Sequence, residues 1–173
     1  MARPHLLDAL RDRVLLCDGG MGSRVQALTL EVERDFWGKE NCTEVLNLSR
    51  PDIVRDIHRG YYEAGADMVL TNSFGGSPVT LGEFELEERA FEINKLSVEL
   101  AREAAESFAD GRHRWVVGDI GPGTKLPSLG NITYDALEAA LVAAHPYELP
   151  EVIGVSIHAG LPGYLQWIKD SLA

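Results

Sequence analysis

Cysteine is scarce: only Cys17 and Cys42 occur among 173 residues, too few for the disulfide framework of a small secreted domain. Long apolar runs are missing too. No stretch approaches the ~20 residues a membrane-spanning helix needs, and residues 1–8, MARPHLLD, lack the apolar core of a signal peptide. Basic residues are outnumbered, 16 against 27 acidic ones, for a net charge of −11. A phosphate-neutralising surface needs clustered Lys and Arg, so this balance argues against nucleic acid and against an anionic membrane as partners. Internal repeats and low-complexity linkers are absent as well. A protein of the reducing cytoplasm is the expectation.

What is present is an ordinary globular balance, 45% hydrophobic and 25% charged, in a length suited to a single core. Short apolar runs alternate with amphipathic stretches. Residues 14–18 (VLLCD), 66–71 (ADMVLT), 115–120 (WVVGDI) and 152–157 (VIGVSI) read as strands, and each of the first three runs into a glycine-bearing polar loop. Between them, residues 31–49 read as a long irregular excursion. Ser49, Pro51 and Asp52 form a helix start, with Ile53, Ile57 and Tyr61 as its inner face and Gly65 as its stop. The acidic run at 83–89 opens a second helix. That helix places Leu86, Ala90, Ile93, Ser97, Leu100 and Ala104 on one face and stops at Asp110-Gly111. Thr133 caps a third, with Leu137, Ala140 and Leu141 facing inward. Residues 163–172 make a last one, on which Trp167 packs with Tyr164, Leu165 and Ile168. Strands alternating with helices call for parallel pairing and right-handed crossovers. Four such units make half of a (β/α)8 barrel or a small open sheet, with the site at the carboxyl ends of the strands.

Three loops are candidates for that site. In Cys17-Asp18-Gly19-Gly20, the acid either holds a substrate ammonium beside an approachable backbone or caps the segment that follows. In Thr71-Asn72-Ser73-Phe74, hydroxyls, an amide and an apolar wall suit a carboxylate, or else the loop caps a helix. Residues 121–126, GPGTKL, lack the P-loop spacing and read as a shaped turn, with Asp119 before them as a site residue or as hydrogen-bonded structure. Cys17 and Cys42 belong to no CxxC or HExxH signature. His145 reads as a turn residue, and His58, beside Arg59 on a helix, as solvent-facing.

The segments VLLCDGGMGS (14–23), DFWGKENCTEVLNLSRPDIVRDIHRGYYEAGADMVLTNSFGG (35–76), EINKLSVELAREAAE (92–106) and VVGDIGPGTKLPSLGNITYDAL (116–137) resemble, in order and spacing, the homocysteine S-methyltransferase family. The likeness is to the N-terminal half of the homocysteine-binding domain found in cobalamin-dependent methionine synthases. It implies a (β/α)8 TIM-type barrel and a zinc ion that holds the homocysteine thiolate for methyl transfer, giving methionine. Cobalamin or a folate is the methyl donor in the full-length enzymes. The resemblance further implies that Asp18, Gly19 and Gly20 hold the amino-acid end of homocysteine, with Thr71, Asn72, Ser73 and Phe74 lining the same pocket. The family's three zinc cysteines, and a pocket glutamate beside the first of them, belong to segments of the second half-barrel that this chain lacks. Cys17 and Cys42 do not match them, so no metal ligand and no catalytic residue is assigned.

The last stretch, AHPYELPEVIGVSIHAGLPGYLQWIKDSL (144–172), instead resembles the C-terminal end of the divalent-cation-tolerance (CutA) family, small ferredoxin-like proteins that form trimers. The join falls within residues 134–144. Residues 1–142 are thus expected to form a partial methyltransferase barrel, and 143–173 a CutA-like strand and helix that close the same domain. The expected activity is methyl transfer to homocysteine, impaired by the missing zinc cysteines. The rival expectation is a non-catalytic chimera that self-associates, as a homo-oligomer, through half-barrel edges or a CutA-like trimer contact.

Overall fold

A computed structural model describes residues 6–121, 123, 133–136, 138–139 and 163. The chain divides into two compact units, Met1–Gly123 and Thr124–Ala173. Three parallel segments run through the first. Strands β1 (Met68–Leu70) and β2 (Trp115–Val117) pair in parallel, Met68 opposite Trp115 and Leu70 opposite Val117. On the other side of β1, residues 16–18 run parallel to it through a bridge at Cys17 and Met68. There the Met68 N–H donates to Leu16 O at 3.2 Å and the Asp18 N–H to Met68 O at 3.0 Å. Order across the layer therefore follows order along the chain.

The strands are shorter than their apolar runs, for a local reason. At one end the Leu16 N–H donates to the Asp67 carboxylate (3.0 Å), and at the other the Leu70 N–H donates to Asp18 (3.1 Å). Side-chain oxygens thus take the place of ladder carbonyls, and the strand at 14–18 contracts to a single bridge.

Two helices cross between the strands, as parallel neighbours require. Among the described residues, α1 (Leu6–Asp12) precedes the first segment, and α2 (Met21–Gln26), α3 (Val32–Asp35), α4 (Leu46–Ser49) and α6 (Pro78–Leu81) are short helices in the connections. The excursion at 31–49 therefore holds two of these helices instead of being wholly irregular.

The first crossover, α5 (Pro51–Glu63), begins with Pro51, whose fixed φ suits the first turn, and carries Asp52 near the positive end of the dipole. Ser49 does not cap it. Its hydroxyl instead donates to the Asp35 and Val45 carbonyls, and Arg50 stands at the cap without a side-chain bond. Gly65, at φ +108°, ends the helix as expected: its N–H donates to Tyr62 O and that of Ala66 to Tyr61 O, a Schellman closure. The buried face is Val54, Ile57, His58 and Tyr62, with Ile53 and Tyr61 only half covered. His58 is thus a correction. Its ring is fully buried, neither nitrogen has a hydrogen-bond partner among the described residues, and burial pushes its pKa down to about 4. It follows Ile57 by one residue, about 100° around the helix from the stripe read from the sequence, and the buried face turns that way, through Val54, His58 and Tyr62.

The second crossover, α7 (Ala90–Glu106), buries Ala90, Ile93, Ser97, Leu100 and Ala104, the face its periodicity announced, together with Ala101. It starts later and ends earlier than expected. Residues 82–89 form two 3-10 turns broken at Glu85, whose φ of 57° no helix accommodates. Three clusters make the core: Cys42, Val45, Leu81, Leu86, Ala90 and Ile93; Val25, Leu46, Val54, Ile57 and Leu100; and Tyr62, Ala66, Val69, Ala101 and Ala104. Truncating the fully buried Ile93 to Ala would cost about 3 kcal/mol.

In the second unit Thr133 accepts a hydrogen bond from the Ala136 N–H at 3.2 Å, the cap expected there. The strand at 152–157, His145, the inner face Leu137, Ala140 and Leu141, and the packing of Trp167 lie outside the described residues. No helix among the described residues is long and apolar enough to cross a membrane.

Candidate functional site

The carboxyl ends of the three parallel segments meet around a cavity of about 310 Å3, lined by Asp18, Gly19, Gly20, Met21, Leu70, Thr71 and Asp119. Asp18 is half-buried at its wall. One carboxylate oxygen accepts from the Leu70 N–H, the other from the Cys17 thiol at 3.3 Å. The capping alternative therefore fails: α2 starts at Gly20 without any side-chain cap. No Lys, Arg or His among the described residues pairs with Asp18, and burial raises its pKa above the ordinary carboxylate value. Next to it the peptide is bare. Tyr61 reaches over with its hydroxyl donating to Gly20 O at 3.1 Å, and its oxygen would lie 3.1 Å from a Cβ on Gly19.

The loop after β1 divides its labour. Thr71 lines the cavity. The Asp119 N–H donates to Thr71 Oγ1 (3.0 Å) and the Ser73 hydroxyl donates to Asp119 O (2.7 Å). The Thr71 hydroxyl must then donate to Ser73 Oγ, 2.6 Å away. Asn72 points elsewhere, donating to Thr43 O and Asn47 Oδ1. Phe74 is 59% exposed and leans on Gly121, whose N–H donates to Phe74 O at 2.9 Å. Helix capping in this loop falls to Ser77, which accepts from the Thr80 N–H. The structure thus gathers Asp18, Gly19, Gly20 and Thr71 at one cavity, while Asn72 and Ser73 spend their polar groups on structure. Met21 and Leu70 line it without having been singled out. An apolar residue one step from a motif carries no sequence signal of its own.

Zinc asks for converging ligands, and a thiolate where the ligand is cysteine. Cys42 is fully buried among apolar neighbours, which pushes its thiol up to about 11. The Cys17 thiol is also raised, first by burial and then by the Asp18 carboxylate it bonds. No three His, Cys, Asp or Glu side chains come together among the described residues. This donor set does not fit a zinc ion.

Parallel βα units with an acid, a glycine pair and a hydroxyl at the strand ends define an α/β protein of the barrel or open-sheet class, whose sites lie at those ends. The comparisons specify it. Residues 15–149 match the family model of homocysteine S-methyltransferase. The methionine synthases of Mycobacterium tuberculosis and Mycobacterium leprae are 43% and 41% identical over 140 and 136 residues, 80% and 78% of this chain. Two solved structures of the Escherichia coli homocysteine methyltransferase MmuM also match. The metallated form superposes at a TM-score of 0.60 with 26% identity over 80% of this chain and 54% of that one. The oxidized form gives 0.56 and 29% over 68% and 41%. The chain belongs to the homocysteine S-methyltransferase family. It spans only 12% and 11% of the length of the mycobacterial proteins. Residues 130–171 also match the CutA1 divalent ion tolerance protein, overlapping the first match over 130–149.

Proposed function

We propose that this chain carries the substrate-holding half of a homocysteine S-methyltransferase barrel and binds the amino-acid end of homocysteine without completing zinc-dependent methyl transfer to methionine. One observation carries the reading: a half-buried carboxylate, Asp18, faces a cavity of about 310 Å3 with no cation among the described residues to neutralise it. The α-ammonium of an amino acid supplies that charge by a charge-assisted hydrogen bond. The exposed backbone at Gly19 and Gly20 offers polar partners to the rest of the amino-acid end, while Thr71 lines the wall with its hydroxyl proton already given to Ser73. The thiolate-activating metal has no matching ligands in Cys17 and Cys42, so the chemistry stops at binding.

Calorimetry with homocysteine tests the binding, with Asp18→Ala as control. Wild-type binding that weakens at least tenfold in the variant supports it, and equal affinity in both discards it. Zinc analysis beside a methyl-transfer assay tests the rest: one tightly held zinc per chain together with turnover would overturn the claim of lost chemistry.

A second reading, self-association, is favoured by one feature. Val14 and Leu16 are 82% and 59% exposed at the outer edge of residues 16–18, and no backbone group of Leu15 or Cys17 has a backbone partner among the described residues. Light scattering after gel filtration separates the cases. A dimer favours pairing through this edge, a trimer favours a contact inherited from the CutA-like segment, and a monomer removes both.

A further inference from the structure

The loop that brings Thr71 to the cavity is held from behind by residues 43–47. The Gly75 N–H donates to Glu44 Oε1 at 2.7 Å. Asn72 Nδ2 donates to Thr43 O (2.8 Å) and Asn47 Oδ1 (3.0 Å), and Asn47 Nδ2 donates back to Asn72 O (2.8 Å). Glu44 and Asn47 are both buried. No cation pairs with Glu44 among the described residues, so its carboxylate rests on the Gly75 amide and the Thr43 hydroxyl. The fit has no slack. A Cβ on Gly75 would lie 2.9 Å from Glu44 Oε1, and Asn94 Nδ2 fixes Gly76 O from the other side at 2.7 Å.

A buried carboxylate without a counter-ion is costly, and the bond it makes here is to the backbone of the loop that forms the pocket. We propose that Glu44 is a positioning residue. By accepting from Gly75 it fixes the loop at 71–76, and through the Thr71–Asp119 bond it sets two polar residues that line the cavity with Asp18. The ligand is the α-amino acid of the reading above, on which the binding half of this inference rests; the holding of the loop stands apart from it.

The experiment uses the full 173-residue chain as wild type, Glu44→Ala, Glu44→Asp and Glu44→Gln. Amide exchange at Gly75 and Gly76 is followed by NMR, and homocysteine affinity by calorimetry. Ala removes the acceptor and Asp withdraws it by one methylene; both should speed exchange at these amides about tenfold or more. Gln keeps a carbonyl oxygen at the same reach and should restore rates to within about threefold. Amides inside α7 should keep wild-type rates throughout, and homocysteine affinity should fall about tenfold in Ala and Asp and recover in Gln. Should Ala fail to fold, Asp decides. Unchanged exchange at Gly75 and Gly76 in Asp, or an equal rise across α7, overturns the role of Glu44. Absence of homocysteine binding by the wild type sinks the pocket reading, and loop exchange then decides Glu44 by itself.

Discussion

Two aspartates stand at opposite ends of the same parallel strands and live in opposite conditions. Asp67, at the amino end of β1, is buried and saturated. Arg13 grips it with two bonds of 2.8 and 2.9 Å, Arg112 adds one of 3.3 Å, and the Leu16 N–H another. The Arg13 bonds hold its carboxyl well below the usual range. Asp18, at the carboxyl end, has an amide and a thiol for company and no cation among the described residues, and burial lifts its pKa. An acid whose charge is fully met is architecture. An acid left short of one positive charge is the group the proposed ligand would meet.

The largest test lies in a group that burial leaves without any partner. His58 titrates at about 4 in the fold against 6.5 for the free side chain. Between these values the unfolded chain holds the extra proton, so stability is lost as pH falls from 6.5 to about 4 and flattens below. The loss should approach about 3 kcal/mol, read as the urea midpoint against pH, and His58→Leu should flatten that limb. An unchanged limb in the variant would show that another group titrates there.

Next comes Asp67→Asn, which strips the charge from beneath Arg13 and Arg112. Because both guanidinium groups are half exposed, the expected cost at neutral pH is about 2 kcal/mol in urea unfolding. A neutral result would place Asp67 in the same class as Asp18 and break the contrast. Gly121→Ala should cost somewhat less, about 1–2 kcal/mol, because its Cβ would sit 2.6 Å from Phe74 O and push the two pocket loops apart. The smallest effect on folding is expected from Asp18→Asn. Its amide oxygen can still accept from Leu70 while the unneutralised charge disappears, so stability should shift by less than about 0.5 kcal/mol. A large destabilisation would make Asp18 structural after all.

The existence of the two βα crossovers was legible because apolar spacing speaks for them: the six inward positions read for the second are all buried, though Leu86 precedes α7, while of the three read for α5 only Ile57 is. Asp18, Gly19, Gly20 and Thr71 could be singled out because a strand ending in polar and glycine residues announces a site. What could not be read were effects that depend on partners distant in sequence. Asn72 looks like a pocket residue until Asn47 is placed against it, and His58 looks exposed until α7 packs on its helix. Glu44 is one acid among 27 acidic residues until Gly75 arrives beside it. Strand lengths were overestimated for the same reason, since Asp18 and Asp67 end the ladder with side chains that periodicity does not weigh.

The sheet order also bears on the timing of synthesis. Residues 16–18, β1 and β2 pair with their neighbours in the order in which they are made, and every such pairing is complete once residue 117 has been added. Domains generally fold as units from the amino terminus while translation proceeds. A ribosome that has released the first unit of this chain has already delivered every described residue that lines the cavity.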